Sequence, residues 1–238
     1  LGAGLSYRSD RPLISEPVTV LPAALRQAGV PLSAGAIWSD KLPKHDTPGA
    51  KGDTMHGLVN LLGLVGETPV FDSASWATEL AWMTYLNVTQ NEAVFKGRKG
   101  YNLLDKADKN FFGLNINFTP TWYQVLPGMD MLAPLSWSQG ISGNSAITAG
   151  GQEGGGTFGI GIAADFYQKY RFDLKYVGFY GDIQTCKSAL ASTARDNSTV
   201  NPPAACAALS GSDMALPNGT FATVRDRAFI ALTFKTTF

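Results

Sequence analysis

Apolar and polar side chains alternate along most of this chain, and the alternation is cleanest in its second half. Phe158, Ile160, Ile162, Ala164 and Phe166 alternate with Gly159, Gly161, Ala163, Asp165 and Tyr167; then Tyr170, Phe172, Leu174 and Tyr176 alternate with Arg171, Asp173 and Lys175. A period of two is the signature of a β-strand with one apolar face. Phe112, Leu114, Ile116 and Phe118 likewise oppose Asn115 and Asn117, and Trp76, Leu80, Trp82, Leu86 and Val88 oppose Glu79, Tyr85 and Asn87. At the C-terminus, Ala228, Ile230, Leu232, Phe234 and Phe238 share a face against Arg227, Thr233, Lys235 and Thr237. The stretch 54–66 is strand-like without a clear face.

Eight strands are predicted, at 2–8, 54–66, 76–89, 110–121, 129–138, 156–167, 169–181 and 227–238. The connections alternate in length. Long ones follow the first, third, fifth and seventh strands, at 9–52, 90–109, 139–155 and 182–224, and short ones follow the others. Outer-membrane barrels have this asymmetry, with short periplasmic turns and longer outer loops. The first long connection carries a short helical pattern around Leu21 to Gln27. Whether these loops fold inward as a constriction or outward as a lid is open at this level.

Composition narrows the class. Lys and Arg total 19 and so do Asp and Glu, a balance that offers nucleic acid no basic surface. The longest apolar run, Leu58 to Val65, contains Asn60 and Gly63, far short of the roughly 20 residues of a spanning helix. A soluble β-sandwich would alternate too. The loop asymmetry and the terminal aromatic strand favour an all-β, antiparallel transmembrane β-barrel in the bacterial outer membrane, with residues 1–238 forming one barrel segment. The opening, Leu1 to Tyr7, is strand-like and lacks the regions of a signal peptide, so these eight strands are expected to belong to a larger barrel.

Barrel geometry assigns roles to side chains. Glu79, Asp165, Arg171, Asp173, Lys175, Arg227 and Lys235 are expected to line the lumen, as cross-strand ladders or as charges setting selectivity along a solute path. Trp76, Trp82, Trp137, Tyr170 and Tyr180 are candidates for the aromatic girdles at the membrane interfaces. Ile230, Leu232, Phe234 and the terminal Phe238 form a candidate signal for the barrel assembly machinery. Cys186 and Cys206 share one polar outer loop and are expected to form a disulfide in an oxidising compartment, with two free thiols as the alternative.

Recognisable reaction chemistry is absent from the sequence. His45 and His56, the only histidines, have no metal-ligand spacing, and there is no Gly-x-Ser-x-Gly elbow. Gly150 to Gly156 lacks the Lys-Ser or Lys-Thr of a phosphate loop and is read as a flexible outer loop entering a strand. Asp105, Asp108 and Glu153 are read as solvated loop charges in preference to a calcium site. No metal or cofactor is expected.

The segment Pro134 to Ser145, the Gly-rich loop into 156–167, the strand Tyr170 to Tyr180, the ending Arg225 to Lys235 and the opening Leu5 to Leu13 resemble the proteobacterial domain-of-unknown-function-1302 family. The resemblance places this chain in the C-terminal portion of longer family members. It implies an outer-membrane barrel in contact with lipid and lipopolysaccharide, working with a periplasmic protein and an inner-membrane exporter on small or hydrophobic solutes. It supplies no catalytic residues. Thr236 departs from the aromatic or aliphatic residue common at that place, which bears on assembly efficiency. The leading expectation is a channel or export-partner barrel, the alternative a structural or surface-interaction barrel with a plugged lumen, and an outer-membrane lipid or ester hydrolase stands third.

Overall fold

The computed structural model describes residues 1–16, 19–31, 36–41, 47–147, 150–185 and 215–236. Its elements in chain order are β1 (Gly2–Pro12), β2 (Thr19–Leu21), α1 (Ala23–Gln27), β3 (Ala36–Trp38), β4 (Lys51–Val65), β5 (Ser73–Gln90), β6 (Asn110–Leu126), β7 (Met129–Leu132), β8 (Leu135–Ser142), β9 (Gly156–Phe166), β10 (Tyr170–Tyr180), β11 (Ile183–Thr185), β12 (Ala215–Pro217), α2 (Gly219–Thr223) and β13 (Phe229–Thr236).

Nine of the strands form one sheet in the order β1, β4, β5, β6, β7 with β8, β9, β10, β13, and each neighbouring pair is antiparallel. The chain is therefore an all-β meander. β7 and β8 form one course broken at Ala133 and Pro134, where Pro134 has no N–H to give. The ladder survives the break, because Ala133 N–H donates to Pro120 and the Pro134 carbonyl accepts from Gly161. The eight predicted strands thus correspond to eight courses, with the last starting at Phe229 rather than Arg227. Among the described residues no pairing joins β1 to β13.

All short connections lie at one end of the sheet and all long ones at the other. At the short-turn end, Tyr167 and Gln168 both take left-handed backbone conformations to reverse the chain between β9 and β10. Tyr167 N–H donates to the Gly128 carbonyl of the neighbouring turn at 2.7 Å, so two turns interlock. Gly128 has φ +76°, and a Cβ there would meet the Tyr167 ring.

The described long loops pack into a compact cap. Its core is Leu13, Ala50, Met83, Phe95, Ala107 and Ala146, with Tyr85, Val88, Phe111 and Ile147 against it. Segments 13–15, 94–96 and 146–147 are tied by short bridges, Leu13 to Ile147 and Ser15 to Phe95. The long-loop end therefore holds the main cluster of buried apolar side chains, and the sheet below it has no second layer among the described residues.

Candidate functional site

Register decides which side chains share a face. Thr54 and His56 pair with Tyr85 and Met83, Asn60 with Glu79, Glu79 with Asn115, Asn115 with Ser138, and Ser138 with Thr157. Their face also carries Asp165, Arg171, Asp173, Lys175 and Lys235. Met83, Tyr85 and Phe111 on the same face pack into the cap, so the loops fold over the polar side of the sheet. The opposite face holds Leu80, Trp82, Phe112, Ile116, Ile160, Ile162, Phe172, Leu174, Ile230, Leu232 and Phe234, and among the described residues it is bare. Leu174 is 47% exposed, Ile230 71% and Leu232 74%. So broad an exposed apolar surface far exceeds the scattered hydrophobics of an ordinary soluble surface.

Charge concentrates at the short-turn end of the polar face. Asp130, Asp165, Arg171 and Lys235 form one transverse row across β7, β9, β10 and β13. Arg171 does not use its whole fork across the strands. It donates to Asp173 on its own strand, Nη2 to Oδ1 at 2.9 Å and Nε to both oxygens at 3.1 and 3.2 Å. Asp165 Oδ1, facing Asp130 in the register, is left buried with no hydrogen-bond partner. A buried acceptor without a donor is unfavourable. Two same-face positions up the sheet from Arg171, Lys175 lies across Gly159 beside Ser136; a Cβ on Gly159 would meet the Lys175 stem at 2.8 Å. The small residues Gly159, Gly161 and Ala163 of β9 thus make room for the long side chains of β10.

The cap has its own polar frame. Lys96 pairs with Asp105, which is buried and also accepts from the Tyr101 hydroxyl at 2.7 Å. Arg98 pairs with Glu16 at 2.6 Å, donates to the Phe95 carbonyl at 2.8 Å and sits over the Tyr101 ring. Burial, then the Asp105 charge, push the Tyr101 hydroxyl well above the usual phenol range. Asn144 donates to the carbonyls of Leu104 and Lys106 and accepts from Glu153 N–H, joining two long loops.

These contacts revise several expectations. Asp105 and Asp108 are not free solvated charges: Asp105 is buried on Lys96, and half-buried Asp108 accepts from Asn144 N–H, whereas Glu153 is exposed and also accepts from Gly143 N–H. Gly150 to Gly156 is packed rather than flexible over its described glycines. Gly151 lies flat on the Phe111 ring, where a Cβ would approach within 2.2 Å, and Gly154 N–H and the Gly155 carbonyl both bond Gly140. Val88 faces the cap, opposite to the simple alternation, because a β-bulge between Tyr85 and Asn87 adds Leu86 and reverses the faces beyond it.

Of the charged residues singled out in the sequence, Glu79, Asp165, Arg171, Asp173, Lys175 and Lys235 share the polar face. Arg227 lies outside it, in the turn before β13, with its N–H on the Val224 carbonyl. Trp76, Trp82, Trp137, Tyr170 and Tyr180 share the bare face by register. Tyr170 and Tyr180 mark the two ends of the 11-residue β10. Ile230, Leu232 and Phe234 also point to the bare face, and Phe234 packs on Phe172 with ring centroids 4.8 Å apart. Cys186, Cys206, His45 and Phe238 lie outside the described residues. The sequence reading missed His56 as a polar-face residue, bonded through Nε2 to Thr54 Oγ1 at 3.0 Å, and missed Arg8, Ser136 and Asp130. Only the β4 register, which the sequence did not fix, reveals the first two.

A family model described as "Protein of unknown function (DUF1302)" matches residues 1–238, so the chain belongs to that family. Neither a curated protein nor a solved structure matches it.

Proposed function

We propose that this member of the family is part of an outer-membrane β-barrel, a channel or export-partner barrel that passes small or hydrophobic solutes along its polar face. The observation that carries the reading is the division of the sheet into a bare apolar face and a capped polar one. Lipid is the solvent that suits the first. Water or solute suits the second, where Glu79, Asp173, Lys175 and Lys235 would set selectivity.

The aromatic residues support the same reading. Tyr170 and Tyr180, at the ends of β10, are about 33 Å apart along the strand. A strand tilt of about 40° reduces that to roughly 25 Å, the height of an outer-membrane apolar band flanked by aromatic girdles. In lipid the edges of β1 and β13, which have no strand partner among the described residues, must be paired, so the sheet closes into a barrel, on itself or through further strands. On this reading the bare face meets membrane lipid and lipopolysaccharide, β13 with Ile230, Leu232 and Phe234 is what the assembly machinery recognises, and the solute is exchanged with a periplasmic protein and an inner-membrane exporter.

Planar-bilayer recording tests the proposal. Folded protein is expected to give discrete conductance steps, and Lys175→Glu to move the reversal potential under a salt gradient towards cation preference. Silent bilayers containing correctly folded protein would refute the channel. They would favour a structural barrel with a plugged lumen, a reading that the inward-packed cap around Phe95 also supports.

A further inference from the structure

A cavity of about 400 Å³ opens between the cap and the β1, β4, β5 and β6 side of the polar face. We propose that it binds a single-chain amphiphile with one anionic head group, which names the solute class of the path proposed above and rests on that reading only for what happens after binding.

The lining is graded along the strands. Arg8 lines the cap end, level with Thr54 and Tyr85, and forms no ion pair among the described residues. His56 stands one inward position below it, and with Nε2 on Thr54 its Nδ1 has no partner among those residues. These two groups offer an anion a fixed positive charge and a ring nitrogen. Below them the walls are apolar: Leu58, Ala81, Met83 and Phe111. Ser145, Ile147 and Gly151 roof the space, and the packed Gly151 backbone holds Phe111 in place.

The far mouth carries Glu79, about 20 Å from the level of Arg8 along the strand. Its charge rejects an anionic head there, so the ligand enters with its head towards Arg8 and its chain along Leu58 and Ala81. The volume lies near the lower end of the roughly 300–1,000 Å³ of small-molecule sites. That admits one chain and excludes the two chains of a phospholipid.

Isothermal titration calorimetry on the protein in lipid nanodiscs, with empty nanodiscs as the blank, tests the site using dodecanoate, dodecanol and dodecyltrimethylammonium. Dodecanoate is expected to bind saturably at one per chain, dodecanol at least tenfold more weakly, and the cation without saturation. Arg8→Gln should weaken dodecanoate at least tenfold, Arg8→Lys should restore most of it, and Ala81→Trp, which fills the apolar length, should remove it. Circular dichroism of each variant verifies its β content. Equal binding of dodecanoate and dodecanol, a partition isotherm without saturation, or unchanged binding in both Arg8→Gln and Ala81→Trp would overturn the inference. Saturable binding by a protein that conducts no current would keep this site and remove the channel; conductance without such binding would do the reverse.

Discussion

Leu174→Arg is the substitution that separates a lipid-facing sheet from a soluble one. Leu174 sits one residue from the middle of β10 on the bare face, between Ile162 of β9 and Leu232 of β13 in the register. If lipid covers that face, Leu174 lies near the bilayer midplane, where Arg costs about 2–4 kcal/mol. Since about 1.36 kcal/mol is a factor of ten, the folding equilibrium in membranes should fall roughly 30- to 900-fold. Thr233→Arg is the control: Thr233 is on β13 opposite Asp173, on the polar face at nearly the same height. There an added cation meets a carboxylate and water, and its effect should stay within about 0.5 kcal/mol.

Urea titration of protein folded into phosphatidylcholine vesicles, followed by circular dichroism, gives both values by linear extrapolation. The two arginines must differ by at least about 1.5 kcal/mol. Equal costs, or a Leu174→Arg protein as stable as its parent, would show that the bare face is not a lipid face. Were this a soluble sheet with an exposed apolar side, Leu174→Arg would raise its solubility in buffer.

Three further outcomes follow from the cap and the turns. Phe95 is 1% exposed and meets Tyr85 edge-on at 5.2 Å, so Phe95→Ala should remove about 3–5 kcal/mol of cap stability, and limited trypsin digestion of folded protein should cut at Lys96, Arg98 and Lys99 on the order of a hundredfold faster or more. The folded cap holds the Tyr101 proton more tightly than the unfolded loop does, so that contribution is complete below about pH 10 and is lost as pH rises beyond it; trypsin protection should decay above that pH in the parent, with no such Tyr101-dependent decay in Tyr101→Phe. Gln168 takes φ +54° between β9 and β10, so Gln168→Gly should stabilise the protein by roughly 1 kcal/mol, read as a higher urea midpoint with an unchanged slope.

What was legible in the sequence was whatever depends on near neighbours. Period two exposed the strands, and the spacing between them exposed which end carries the long loops. Asp165, Arg171, Asp173 and Lys175 could be placed on one face because β9 and β10 run without a bulge. Val88 could not, since the bulge at Leu86 is set by pairing with β4 rather than by any local preference. Nor could the cap: Leu13, Phe95, Phe111 and Ile147 are far apart in the chain, and no local pattern links them. Their joint burial is a tertiary fact. The glycines at 150 and 151 read as flexibility because composition cannot distinguish a glycine that moves from one that lets Ser145 or Phe111 approach. The cross-strand charge ladder differed for a related reason, since a fork-shaped guanidinium reaches Asp173 two residues away on its own strand more directly than it reaches Asp165.

The polar face is not uniform, and its gradient links the cap to the charges. At the long-loop end it carries Met83, Tyr85 and Phe111, and on the β10 side Phe179 and Phe229, with Phe221 of α2 stacked on Phe179. At the short-turn end it carries Asn115, Asn117, Asp165, Arg171, Asp173 and Lys235. Water excluded by the apolar rings strengthens electrostatics near the cap, while the open end screens its charges. Arg8 stands at the ringed end as an exposed cation on the edge strand β1, beside the apolar walls, and the charged row at the other end is expected to act mainly on ions in a wet mouth. A freely diffusing ion would find the cap end unfavourable. An amphiphile would find there an anion site and apolar walls together, and that pairing is why the solute predicted for this sheet has a chain as well as a charge.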